Sequence, residues 1–244
     1  MIGLATRDSA TSFSGWKLQK PPNASAFSIA ADFSDGTVNP FTSQSGTWQM
    51  ATGVYRGTAA ANSTAISTKY IGVAANSTLT LQSNVNVAAG VTGGFVFDYY
   101  SSTNYKFAAI VAGSNQVVVG HVSSAGTFVD QTVSTPITAG TNYLLGISLK
   151  GASLSVTLNG AEVMTRTYYT VINDGSIGLF SRNGSTTFDN ALMQGDDPRY
   201  TLQAPATGFA TLAVERMEFA FPVLDSGDGT IVQTQEQLEW FVEV

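Results

Sequence analysis

The chain has 244 residues and no cysteine. Disulfides and thiolate metal sites are therefore excluded, and the fold must stand on packing and hydrogen bonds alone. Charge is scarce too. Only 11% of residues are Asp, Glu, Lys or Arg, which is too few to cover the outer faces of a helical bundle. The single histidine, His121, cannot form a histidine-rich zinc site. No stretch reaches the roughly eighteen consecutive apolar residues of a membrane helix, so no membrane partner is expected. The opening M-I-G-L-A-T-R-D-S-A-T-S-F-S-G-W-K has no basic segment followed by a long apolar one, and a Sec leader is not expected.

What fills the chain instead is Ser, Thr, Asn, Gly and Ala between apolar positions. The run from Tyr143 to Leu192 is the clearest case: Y-L-L-G-I-S-L-K-G-A-S-L-S-V-T-L-N-G, then G-S-I-G-L-F-S-R-N-G-S-T-T-F-D-N-A-L. Apolar and small polar residues alternate with a period of two, which predicts three half-buried strands with turns at Lys150-Gly151 and Asn159-Gly160. Ile147, Leu149, Leu154, Val156 and Leu158 then face one core. Further turn signals stand at Asp35-Gly36, Gly93-Gly94, Gly140-Thr141-Asn142 and Asn183-Gly184. Many short strands at regular spacing predict an all-β, two-sheet antiparallel sandwich or jelly roll.

Three segments are expected. Residues 1–27 read as a polar arm with Pro21-Pro22 and two isolated large apolar groups, Phe13 and Trp16. Residues 28–194 hold the strands, and a boundary is expected at Gly195-Asp-Asp-Pro198, where proline disfavours continuation of a ladder and the charge balance changes. Residues 1–194 carry a net charge of +1 and residues 195–244 a net charge of −7, so residues 195–244 read as an acidic, β-rich extension with its own surface role. Within it, Asp225 to Gly229 reads as a turn, and Thr234 and Gln237 suggest a short helix over about 235–241 in competition with a strand. Neither part clusters Lys and Arg, so no nucleic-acid partner is expected.

Ala31-Asp32-Phe33, Gly46-Thr-Trp48, Gly53-Val-Tyr55, Gly94-Phe-Val-Phe97 with Asn104-Tyr-Lys-Phe107, and Gly178-Leu-Phe with Phe188-Asp-Asn190 resemble the concanavalin A-like lectin/glucanase superfamily in its laminin G-like branch. The resemblance covers residues 30 to 193. It implies a jelly roll of twelve to fourteen strands whose first and last strands are adjacent. It also implies a structural Ca²⁺ near carboxylates such as Asp32 and Asp189, which suits a hard cation. The alternative preferred here is that both carboxylates accept backbone hydrogen bonds and lock the two strands, with no cofactor.

Glucanases that share this resemblance carry an E-x-D-x-x-E strand, because retaining hydrolysis needs two carboxylates about 5 Å apart. Glu162 is the sole glutamate before Glu215, and the spacing occurs nowhere, so no enzymatic activity is expected. His121 reads as a hydrogen-bonded or exposed strand residue. Tyr99, Tyr100 and Tyr105 flank Ser101-Ser-Thr-Asn104 in an expected hairpin, and aromatic platforms beside Asn and Ser suit neutral glycans; ordinary cross-strand tyrosine pairing is the competing reading.

Two functions compete. The first is a bacteriophage virion component, a capsid decoration or tail-associated subunit, in which Phe13 and Trp16 of the arm and Leu238, Trp240 and Phe241 of the extension contact other virion subunits or a second copy. The alternative is a carbohydrate- or peptide-binding module of a secreted bacterial adhesin or polysaccharide-degrading protein, located outside the cell or on the bacterial surface and bound to a cell-surface glycan.

Overall fold

A computed structural model describes residues 25–34 and 39–200, together with the backbone of 222–224 and 231–233. Alternation resolves into short strands wherever a turn residue interrupts it. In chain order they are β1 (Phe27–Ala31), β2 (Thr42–Ser45), β3 (Thr47–Ala51), β4 (Val54–Thr58), β5 (Thr64–Lys69), β6 (Thr78–Val87), β7 (Thr92–Ser101) and β8 (Asn104–Val111). They continue as β9 (Gln116–Ser123), β10 (Gly126–Ser134), β11 (Asn142–Lys150), β12 (Ser153–Leu158), β13 (Ala161–Thr167), β14 (Ser176–Arg182) and β15 (Ser185–Gly195).

One sheet has the order β13-β12-β11-β6-β15-β4-β3, with β1 also paired to β15; the other has the order β10-β9-β8-β7-β14-β5-β2. All pairs are antiparallel. The first and last strands of the sandwich are adjacent, as the resemblance implied: Ala31 lies opposite Ala191. The count is fifteen strands rather than twelve to fourteen. The Tyr143–Leu192 run holds five of them, because Ala161–Thr167, which looks polar through Glu162 and Arg166, pairs as an edge strand with β12.

The five residues assigned to one core, Ile147, Leu149, Leu154, Val156 and Leu158, are all buried between the sheets with Leu79, Leu81, Val85, Phe95, Phe97, Ile110, Leu179 and Phe188. Asn159 and Gly160 both take positive φ, 51° and 82°, as a two-residue hairpin turn requires. Gly93 and Gly94 are not a turn. They lie inside β7, where a Cβ on Gly93 would come within 2.3 Å of Thr186 Oγ1 and one on Gly94 within 2.3 Å of the Ala108 carbonyl oxygen. Glycine serves close packing there, not chain reversal.

Residues 195–200 belong with the sandwich rather than with the extension, and the first compact unit runs to Gln203. Asp197 is fully buried. Its carboxylate accepts hydrogen bonds from the Ala74 amide at 2.6 Å and from Arg199, whose Nη2 also reaches the Gly72 carbonyl at 2.9 Å. Tyr200 packs on Phe27 at 4.8 Å. In the second unit, Ala204–Val244, β16 (Pro222–Leu224) and β17 (Ile231–Gln233) pair antiparallel, with Leu224 opposite Ile231; the turn expected at Asp225 to Gly229 falls between them. The helix expected near 235–241 lies outside the described residues.

The Asp197 clamp sets an acid limit. Hydrogen bonds from Arg199 hold the carboxyl well below the usual range; burial opposes this, and the Ala74 and Arg199 amides add to it. Its folded value is therefore below the unfolded value of about 3.9, so the contribution is complete above that pH and is lost as pH falls through the folded value. Asp197→Asn lowers the urea midpoint at neutral pH and flattens the decline below about pH 4, measured by urea unfolding at successive pH values. A decline as steep as that of the unaltered chain would show that other carboxylates set the acid limit.

Candidate functional site

The alternation of β7 breaks at Asp98. Phe95 and Phe97 face the core and Val96 faces outward, but Asp98 takes φ 50° and the register with β8 shifts between Phe97 and Ser101. A left-handed residue costs about 1–2 kcal/mol, and Asp tolerates it better than most. The bulge turns Asp98 inward, 5% exposed, onto Lys106, and leaves Tyr99 on the outer face. Gly175 closes over it, because a Cβ there would sit 2.7 Å from the Asp98 carbonyl carbon. The bulge therefore aims the tip of the β7–β8 hairpin.

Tyr99, Tyr100, Asn104 and Tyr105 share that hairpin but not one surface. Tyr105 is 3% exposed and packs with Tyr99 at 5.7 Å and Phe180 at 6.5 Å; it is an ordinary cross-strand aromatic. Tyr100 is 55% exposed, and its hydroxyl donates to Asp174 Oδ1 at 2.8 Å. Asn104, Ser101, Ser102 and Thr103 are exposed beside it. The result is a tyrosine ring tethered at its hydroxyl and free over much of its surface, bordered by hydroxyl and amide groups. Tyr169, fully exposed in the connection that also carries Asp174, is a second free ring.

Behind the hairpin a ladder of charges runs between the sheets. Lys106 and Arg166 stand 5.3 and 5.1 Å from the centre of the Tyr168 ring, and Arg166 lies 3.9 Å from Asp130. His121 Nδ1 is 2.8 Å from Asp130 Oδ1, and its ring stacks on Phe128 at 5.1 Å. His121 is thus a hydrogen-bonded strand residue. The carboxylates of Asp98, Asp130 and Asp197 each face a cation.

Asp32 directly follows β1 and Asp189 lies on the neighbouring last strand, β15, and both have local partners. Asp32 Oδ1 accepts from the Ser34 amide at 3.1 Å and its hydroxyl at 2.9 Å, and Asp189 Oδ2 accepts from Asn190 Nδ2 at 2.8 Å. Among the described residues no group of three or more His, Asp or Glu side chains could hold a metal ion. The assembly candidates Phe13, Trp16, Leu238, Trp240 and Phe241 lie outside the described residues.

No family model matches the chain, and no curated protein matches it. Among solved structures it is similar to the carbohydrate binding module CBM66 from Bacillus subtilis, at 20% identity and a TM-score of 0.54 over 64% of this chain and 95% of that one. The Emp47p carbohydrate recognition domain matches at 11% identity and 0.53, over 70% and 96%. The fold is a concanavalin A-like jelly roll. The GH43 protein BlXynB from Bacillus licheniformis matches at 14% identity and 0.50, over 68% of this chain and 38% of that one, so the jelly roll corresponds to part of that protein. These likenesses do not single out the laminin G-like branch.

The tether at the rim of the jelly roll has a spectroscopic signature. Burial first, and then the Asp174 and Asp98 carboxylates, push the Tyr100 hydroxyl above its ordinary value. Because a neighbouring carboxylate disfavours the phenolate, Asp174→Asn brings one tyrosine down toward the usual value of about 10. Ultraviolet absorbance titration reads this; superimposable curves for the two proteins would show that Asp174 does not hold Tyr100.

Proposed function

We propose that this jelly roll is a non-catalytic carbohydrate-binding module that takes a neutral glycan at the β7–β8 hairpin, outside the cell or on its surface. The observation that carries the reading is Tyr100: a ring more than half exposed, fixed at its hydroxyl by Asp174 and flanked by Asn104 and the Ser101–Thr103 hydroxyls. A sugar ring presents C–H groups to an aromatic face and hydroxyls to its edge, and this arrangement offers partners for both. A tethered ring also loses little side-chain entropy on binding. The likeness to a carbohydrate binding module and a carbohydrate recognition domain supports this reading over the virion component; none of the comparisons reported above speaks for a virion.

The test is a glycan array probed with the full chain, followed by calorimetry on the best neutral binder. Tyr100→Ala is expected to weaken binding tenfold or more, about 1.4 kcal/mol, with an unchanged circular dichroism spectrum, whereas Tyr100→Phe retains most of the affinity. An array without a neutral glycan, or full binding by Tyr100→Ala, would overturn the reading.

A further inference from the structure

The end of the sandwich that carries the β7–β8 hairpin carries two further exposed tyrosines. β5 stops at Lys69 opposite Ile177, and β14 starts at Ser176 opposite Tyr99 of β7. Tyr70 therefore leaves the sheet at the end where Tyr100 stands and where the connection 168–175 enters β14. Tyr70 is 66% exposed, Tyr100 is 55% exposed and Tyr169 is fully exposed. The strand order sets the order of the rings. Tyr168, the residue before Tyr169, lies against Lys106 of β8. Tyr100 stands at the end of β7, and Tyr70 follows β5, with β14 between those two strands. From β8 to β5 is three strand spacings of about 4.8 Å each, roughly 14 Å.

Exposed rings on separate loops are ordinary surface groups, but these loops are bonded to one another. Asn173 is fully buried, and its Nδ2 donates to the Ala74 carbonyl at 3.2 Å and to the Ser77 carbonyl at 2.9 Å. This ties the connection 168–175 to the segment that follows Tyr70. The next residue, Asp174, accepts the Tyr100 hydroxyl. Arg199 holds the Gly72 carbonyl and Asp197 the Ala74 amide. Tyr70 bends back over this segment, with its hydroxyl 3.1 Å from the position that a Cβ on Gly72 would take. Loops fixed in this way lose little entropy when a ligand arrives. The carboxylates beside the row are engaged as well. Asp98 and Asp197 pair with Lys106 and Arg199, and Asp174 holds Tyr100, which favours a ligand without charge.

We infer that Tyr169, Tyr100 and Tyr70 form three subsites in a row, and that the ligand is an internal stretch of a neutral polysaccharide rather than a single sugar or a chain end. The inference rests on the reading of Tyr100 as a glycan platform. A sugar ring is about as wide as one strand spacing, so a monosaccharide covers Tyr100 alone. A chain of three or four sugars spans the row and meets all three rings. Recognition of a chain end needs an enclosing wall at one side. Here the rings at both ends of the row, Tyr169 and Tyr70, are more exposed than Tyr100 between them, so a chain can run on past either one.

The inference is tested on the full chain with β-glucan, xylan and mannan, followed by calorimetry with oligosaccharides of one to six sugars cut from the polysaccharide that binds. Affinity is expected to rise tenfold or more from one sugar to four and then to level off. Tyr169→Ala and Tyr70→Ala are each expected to weaken hexasaccharide binding several-fold and to leave monosaccharide binding unchanged, whereas Tyr100→Ala weakens both. Hexasaccharides blocked at either end with a bulky fluorophore are expected to bind as well as free ones. Equal affinity for one sugar and six, still dependent on Tyr100, would overturn the row while the single-ring reading stands. Loss of binding on blocking one end would show a chain-end site and overturn the proposal too. Loss of monosaccharide binding in Tyr169→Ala or Tyr70→Ala would show that the ring supports Tyr100 instead of forming a subsite. Indifference of every length to Tyr100→Ala would remove the reading on which the inference rests.

Discussion

The sandwich depends on apolar contact between two sheets that no disulfide joins. With no cysteine and few charges, the inner faces of β6, β11, β12 and β15 must meet those of β7, β8, β9 and β14 in register. Each fully buried leucine or phenylalanine contributes about 1.5–3 kcal/mol, against a net stability for a domain of about 5–15 kcal/mol. Gly93 permits the close approach, since a Cβ there would lie 2.3 Å from Thr186 Oγ1 and 2.6 Å from the Val87 side chain on the facing sheet. Period two fixes which residues face inward, and by the same rule fixes what is left on the other side.

On the eight-stranded sheet that other side is Thr, Ser, Asn and Gln, as in Thr78, Thr80, Gln82, Asn84 and Asn86 of β6. On the seven-stranded sheet it is apolar. The asymmetry leaves one polar face and one apolar face, beside which stands the exposed tyrosine. The Asp98 bulge separates the two rings, since it sends Tyr99 to the apolar face beside Tyr105 and holds Tyr100 outside it at Asp174.

Much of the fold was legible in the sequence, because alternation and turn chemistry are local. The Lys150-Gly151 and Asn159-Gly160 turns and the core assignment of Ile147 through Leu158 follow from spacing alone. The Gly93-Gly94 pair misleads because glycine marks both reversals and tight contacts, and the neighbours that distinguish them, Thr186 and Ala108, are far away or on the next strand. The site was legible in part. The hairpin and its tyrosines were visible, but adjacent Asp98, Tyr99 and Tyr100 break period two, and only the bulge decides which ring is buried. Asp174 lies seventy-four residues from Tyr100, and no local pattern joins them. Arg199 reaching back to Gly72 was hidden for the same reason.

The central claim is that this jelly roll offers its rim, not its apolar face, to a ligand. Backbone amide shifts of the full chain, followed by NMR during titration with the neutral oligosaccharide that binds best, test it most directly. The account predicts perturbations confined to residues 99–104 and to the segments around Tyr70 and Asp174. Perturbations centred on Ile66, Val96, Phe107, Val118 and Phe180, with the rim unchanged, would contradict it.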